Sequence, residues 1–103
     1  MRRGEVWWAR LKGPAGRRPV LLLSRNEAYG KRTHVTVSPI TRTIRRLATE
    51  ISLTKADGMK EDCVVNLDDL LTIRQIALEE KLTTLSDQKM ATVREAIVFA
   101  LDL

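Results

Sequence analysis

The chain has 103 residues, 44% of them hydrophobic and 30% charged, with a formal net charge of +5. Residues 1–103 are therefore expected to form one domain around one modest core, and the balance excludes a disordered or fibrous chain. No apolar run approaches the roughly 18 residues of a membrane span, and Met1-Arg2-Arg3 leads to Trp7 and Trp8 without the apolar stretch of a secretory signal, so a cytoplasmic protein without membrane contact is expected.

The charge is front-loaded. Residues 1–46 carry twelve Lys and Arg against Glu5 and Glu27, about +10, and residues 47–103 carry six against eleven acids, about −5. Segregated signs suit a polyanion or an acidic protein partner. With one cysteine and one histidine there is no disulfide and no thiolate and imidazole cluster, so no metal and no cofactor are expected. Cys63, inside Cys63-Val64-Val65, reads as core.

Glu5 to Leu11 is short, aromatic-rich and partly alternating, which predicts a strand. Adjacent positions on it send one of Trp7 and Trp8 inward and the other outward. Gly13-Pro14-Ala15-Gly16 breaks it, leaving Lys12, Arg17 and Arg18 around a turn. Arg18 to Ser24 predicts a buried strand, with Pro19 placing its start at an edge and holding Arg18 extended. Asn26 to Thr33 is a polar connection. His34 to Ser38 alternates as a third strand, Ala48 to Leu53 as a fourth, and Cys63 to Leu67 forms a fifth.

Asp68 to Ile73 predicts a short strand or bridge, and Arg74 to Lys81 one or two helical turns. Ser86 caps a terminal helix of about four turns, with Asp87 in its first turn and Met90, Val93, Ile97, Ala100 and Leu101 as its apolar stripe. Strands first and a helix last, without βαβ alternation, predict a mainly β fold with α: a small twisted barrel with a helix packed on it.

Several chemistries lack their residues. There is no histidine pair for acid and base work and no G-x-S-x-G elbow, and Asp68 and Asp69 would point to opposite faces of a strand rather than share an ion. What remains is arginine beside hydroxyls at strand ends: Arg18 before Pro19, and Thr41-Arg42-Thr43 after Pro39-Ile40. RNA suits such a site. It carries its own nucleophile, the 2′-hydroxyl, and needs only alignment, proton transfer and stabilisation of negative charge, which a guanidinium supplies through two parallel donors.

The chain resembles the MazF, PemK and Kid family of toxin endoribonucleases over nearly its full length. Arg3-Gly4-Glu5-Val6-Trp7 is similar to its opening R-G-[DE]-[VI]-[WY], Arg18-Pro19-Val20-Leu21 to its R-P-[VA]-[LV], and Pro39-Ile40-Thr41 to the strand end bearing its threonine. Asp62-Cys63-Val64-Val65, with Leu70, Thr72 and Ile73, resembles the D-[SC]-V-[AIV] segment that precedes its [QN]-[IV]-[RK]-[TS]-[IL]. The resemblance implies an SH3-like β-barrel, a homodimer, an antitoxin, and cleavage of single-stranded RNA to 2′,3′-cyclic phosphate and 5′-hydroxyl ends without a metal. It assigns Arg18 to transition-state stabilisation and protonation of the leaving oxygen, and Thr41 to the phosphate and 2′-hydroxyl. Arg17, Arg25, Asn26 and Arg42 flank these two positions and are the candidate RNA-binding residues.

Two departures from the family pattern stand out. Lys12 to Gly16 replaces a loop that carries a glutamate in many relatives, and Leu71 replaces a basic residue that serves the dimer interface or RNA path. The alternatives are a barrel that binds RNA or an acidic protein without cutting, and a gyrase-poisoning toxin of the same fold.

Overall fold

The computed structural model describes residues 1–103. Its elements in chain order are β1 (Glu5–Arg10), β2 (Arg17–Leu22), β3 (His34–Thr41), β4 (Glu50–Leu53), β5 (Cys63–Asn66), β6 (Leu71–Arg74), β7 (Leu78–Thr84) and α1 (Asp87–Leu101), with four single-turn 3-10 helices in the connections. The strands form one curled sheet in the order β4-β5-β3-β2-β1-β7, with β6 also on β3. This is the expected small barrel with a C-terminal helix.

Strand alternation divides the apolar side chains between two clusters. Val20 and Leu22 of β2 join Ala9, Val35, Val37 and Leu78 on one face, with Trp7, Tyr29, Leu71 and Ile73 packed around them. Leu21, between them in sequence, joins Val6, Ile40, Leu53, Val65, Leu67, Val93 and others in the larger core under α1. Cys63 is buried in that larger core, as expected.

Proline 39 explains where the sheet divides. β2 and β3 pair from Leu22↔Val37 to Val20↔Pro39, and from Ile40 onward β3 pairs with β5 instead. A residue without an amide hydrogen is tolerated where a ladder changes partner. β3 thus runs three residues beyond the predicted Ser38, to Thr41.

The helical expectation for Arg74 to Lys81 is corrected. Only Gln75–Ala77 makes a single 3-10 turn, and Leu78 to Lys81 belong to β7, which pairs with β1. Two register shifts along that pair, between Val6 and Trp7 and between Trp8 and Ala9, break the alternation that would have marked the strand.

Ser86 caps α1, its Oγ accepting the Lys89 amide at 3.0 Å, with Asp87 in the first turn. Val93 and Ala96 are buried, with Met90 and Ile97 packed beside them. Leu101, expected on the buried stripe, is exposed because the helix ends there, at a left-handed Asp102. No helix is long and apolar enough to cross a membrane.

Candidate active site and RNA interface

Strand register relates Arg18 to Thr41. β2 and β3 are antiparallel with Val20 opposite Pro39, and the same register continued by two residues sets Arg18 opposite Thr41. Alternation puts Arg18 on the face of Val20 and Leu22, and Thr41 on the face of Val37 and Pro39, which is the same face of the sheet. Both residues are half-buried, and Arg18 enters none of the ion pairs. Thr41 Oγ1 accepts the amide of Thr43 at 3.1 Å, which fixes the hydroxyl and leaves its proton free to donate.

The neighbouring Arg17 lies on the opposite face of β2. Its guanidinium sits 4.4 Å from the ring centroid of Trp8, and its Nε donates to Glu79 Oε1 at 2.8 Å, with Glu80 at 3.7 Å. Arg10 also reaches Glu79, at 3.2 Å. Glu79 therefore joins the end of β1 to the start of β2 across the loop between them, and the two arginines hold its carboxyl below the usual carboxylate range, Arg17 foremost. Nothing in the sequence pattern flagged Glu79 and Glu80, because they lie in the stretch that read as helical.

The two tryptophans divide as adjacent strand positions should. Trp7 packs beside the inner cluster, its indole N–H donating to Glu5 at 2.9 Å, and Trp8 carries Arg17 on the other side. The loop between β1 and β2 is a closed turn rather than an open flap: Leu11 N–H donates to Gly16 O at 2.7 Å around the 3-10 turn Gly13–Ala15. Gly13 and Gly16 both take positive φ there.

Arg25, Asn26 and Arg42 do not gather around Arg18. Arg25 and Asn26 follow the far end of β2, where Arg25 pairs with Glu27 at 3.1 Å and Asn26 Oδ1 accepts the Arg3 amide at 2.6 Å. Arg42 directly follows Thr41, and its Nη1 donates to Glu61 at 2.7 Å, a contact that raises its pKa. The loop after it, residues 42–48, is exposed. Arg45 and Arg46 on that loop, four and five residues after Thr41, are without ion pairs.

No three His, Cys, Asp or Glu side chains converge anywhere in the chain. Asp68 accepts the Thr49 hydroxyl at 2.6 Å and Asp69 accepts Asn66 Nδ2 at 3.1 Å, so both acids serve as loop braces.

Comparison with known proteins identifies the fold and the family. Residues 2–101 match the family of PemK-like, MazF-like toxins of type II toxin-antitoxin systems. The probable endoribonuclease MazF2 of Mycobacterium tuberculosis (strain CDC 1551 / Oshkosh) is 40% identical over 91 residues, covering 87% of each chain. Among solved structures, the M. tuberculosis toxin MazF-mt6 superposes with a TM-score of 0.89 at 35% identity, over 96% of this chain and 97% of that one. A mycobacterial endoribonuclease in complex with its cognate antitoxin superposes at 0.88, with 25% identity over 100% of this chain and 96% of that one.

The class so defined is that of an endoribonuclease toxin. The chain belongs to the PemK-like, MazF-like toxin family of type II toxin-antitoxin systems.

Proposed function

We propose that this toxin is a sequence-selective, metal-independent endoribonuclease that cuts single-stranded RNA, arrests translation, and is neutralised by a cognate acidic antitoxin. The observation that carries the reading is the register of Arg18 and Thr41, an unpaired guanidinium and a braced hydroxyl on one face at the end of the β2–β3 pair. Arg18 stabilises the negative charge on the five-coordinate phosphorus, and its fork spans two phosphate oxygens. The Thr41 hydroxyl donates to the phosphate and holds it in line with the 2′-oxygen. The 2′-oxygen gives its proton to solvent water and bonds to phosphorus. The bond to the 5′-oxygen breaks, that oxygen takes a proton from the Arg18 guanidinium, which solvent restores, and 2′,3′-cyclic phosphate and 5′-hydroxyl ends result.

Arg42 beside Thr41, Arg17 on the other face of β2, and Arg25 and Asn26 beyond its far end hold RNA in the same reading, with Arg17, Arg25 and Arg42 exchanging carboxylates for phosphates. Exposed ion pairs are worth about 0–1 kcal/mol, so the exchange costs little. The working unit is a homodimer, and the antitoxin covers the basic surface with an extended acidic segment that folds on binding.

The test is cleavage of a long unstructured RNA by purified protein in excess EDTA, beside Arg18→Ala, with both fragment ends mapped. Recurrent cuts bearing 2′,3′-cyclic phosphate and 5′-hydroxyl ends, lost in the variant, are expected. Folded wild-type protein that leaves diverse RNAs intact would overturn the reading in favour of a binding-only barrel.

A further inference from the structure

At the end of β3 away from Thr41, a concavity of about 240 Å³ is lined by Gly30, Arg32, Thr33, Arg74, Gln75 and Ile76. Two hydrogen bonds build it by tying the β2–β3 connection to the β6–β7 turn: Gly30 N–H to Gln75 Oε1 at 3.1 Å and Gln75 N–H to Thr33 O at 2.8 Å. Both guanidiniums are exposed, neither is ion-paired, and no carboxylate lines the hollow. His34 faces Arg74 directly across the β3–β6 register, and Lys31 is exposed on the adjoining connection.

Arg10, Arg17, Arg25 and Arg42 all have carboxylate partners, whereas Arg32 and Arg74, unpaired like Arg18, Arg45 and Arg46, converge on one hollow. Unscreened guanidinium forks of this kind match phosphate oxygens. An acidic peptide would also answer the charge, but the only hydrophobic residue of the lining is Ile76, so apolar anchors find no floor.

We infer that Arg32 and Arg74 form a distal phosphate-binding site for the RNA backbone, away from the bond that is cut. His34 and Thr41 are seven residues apart on β3, about 23 Å at the usual strand rise, and alternation puts His34 and Arg74 on the other face of the sheet from Thr41, so RNA reaching both must also pass round the sheet edge. RNA long enough to span that separation gains the second contact, and RNA confined to the cut sequence does not. The inference rests on the ribonuclease reading above, and it makes substrate length a determinant of efficiency with no role in the chemical step.

The experiment compares wild type with Arg32→Ala/Arg74→Ala on two single-stranded RNAs that share one cut sequence, a 6-mer and a 30-mer. Wild type is expected to favour the 30-mer by tenfold or more in kcat/KM. The variant should lose most of that preference through KM, with kcat and the 6-mer rate unchanged, and Arg32→Lys/Arg74→Lys should recover part of it. The salt dependence of 30-mer binding should flatten in the Ala variant, since each lost phosphate contact takes about 0.7 from the logarithmic slope. A wild type indifferent to length, or a variant that keeps the preference, overturns the site. So does a variant equally impaired on both RNAs, or one impaired only in antitoxin inhibition.

Wild type that cuts neither RNA sinks the ribonuclease reading instead. Anisotropy with a fully 2′-O-methylated 30-mer then decides the distal site on its own: weaker binding by the Ala variant supports it, and equal or absent binding overturns it.

Discussion

The β2–β3 register, continued two residues past its last pair of Val20 and Pro39, brings Arg18 level with Thr41 on one face of the sheet, where β3 has turned to β5. Arg18→Ala should lower kcat by about 10²–10³-fold, the usual cost of one donor to transition-state charge. Arg18→Lys should recover little, because an ammonium lacks the two parallel donors. Thr41→Ser keeps the hydroxyl and should stay within about tenfold of wild type, whereas Thr41→Val should fall with the arginine variant. Single-turnover cleavage separates these losses from RNA binding.

Burial pushes the Tyr29 phenol up to about 12, against weaker lowering by Ser24 and Arg3. Because Tyr29 is the sole tyrosine, absorbance at 295 nm reads it alone. The folded protein should titrate about two units later than the unfolded chain. The unfolded state ionises first, so the contribution to stability is full below pH 10 and declines between pH 10 and 12. A folded protein whose tyrosine titrates near 10 would refute the packing around it.

Glu5 works in the opposite pH range. Its burial alone would raise the carboxyl, but the Trp7 indole N–H, the Arg2 backbone contact and Lys81 outweigh it and leave the pKa below its usual value. That contribution is therefore present above pH 4.5 and is lost as pH falls through the folded value. Glu5→Gln should cost about 1–2 kcal/mol at pH 7, chiefly through the charged hydrogen bond to Trp7. The half-exposed Lys81 adds little. Urea titrations of both proteins at pH 7 and pH 3 should show the difference shrinking at the lower value.

Gly58 has φ +94, and a Cβ there would lie 2.8 Å from Thr83 Cβ. Thr83 cannot move away freely, because its hydroxyl donates to Asp57 O at 3.0 Å. Gly58→Ala should destabilise the protein by about 2–4 kcal/mol from backbone strain and overlap together. Gly30, also at positive φ but with open space around it, should cost only the backbone share. Thermal melts of the two alanine variants test the contrast.

The first five strands and the helix were legible because alternation and a Ser86 cap mark them directly. β7 was not, since its pairing with β1 passes through two register shifts that scramble the pattern of Leu78, Leu82 and the acids between. The same scrambling hid Glu79, the brace of the β1–β2 turn. Arg18 and Thr41 could be nominated from motifs, but their mutual placement depends on antiparallel register, which no local window contains. Front-loaded charge in the sequence also overstated the basic face, because Glu79 and Glu80 return from the acidic half to Arg10 and Arg17.

The pairing of β1 with β7, Glu5 opposite Thr84, joins the earliest strand of the fold to the latest. Such long-range closure is slow relative to local hairpins, placing assembly in the millisecond-to-second range. During synthesis β1 and β2 can zip together long before β7 exists, and until then β1 has an open edge and Arg10 and Arg17 lack Glu79. The turn beside Arg18 is consequently braced only after β7 has been made.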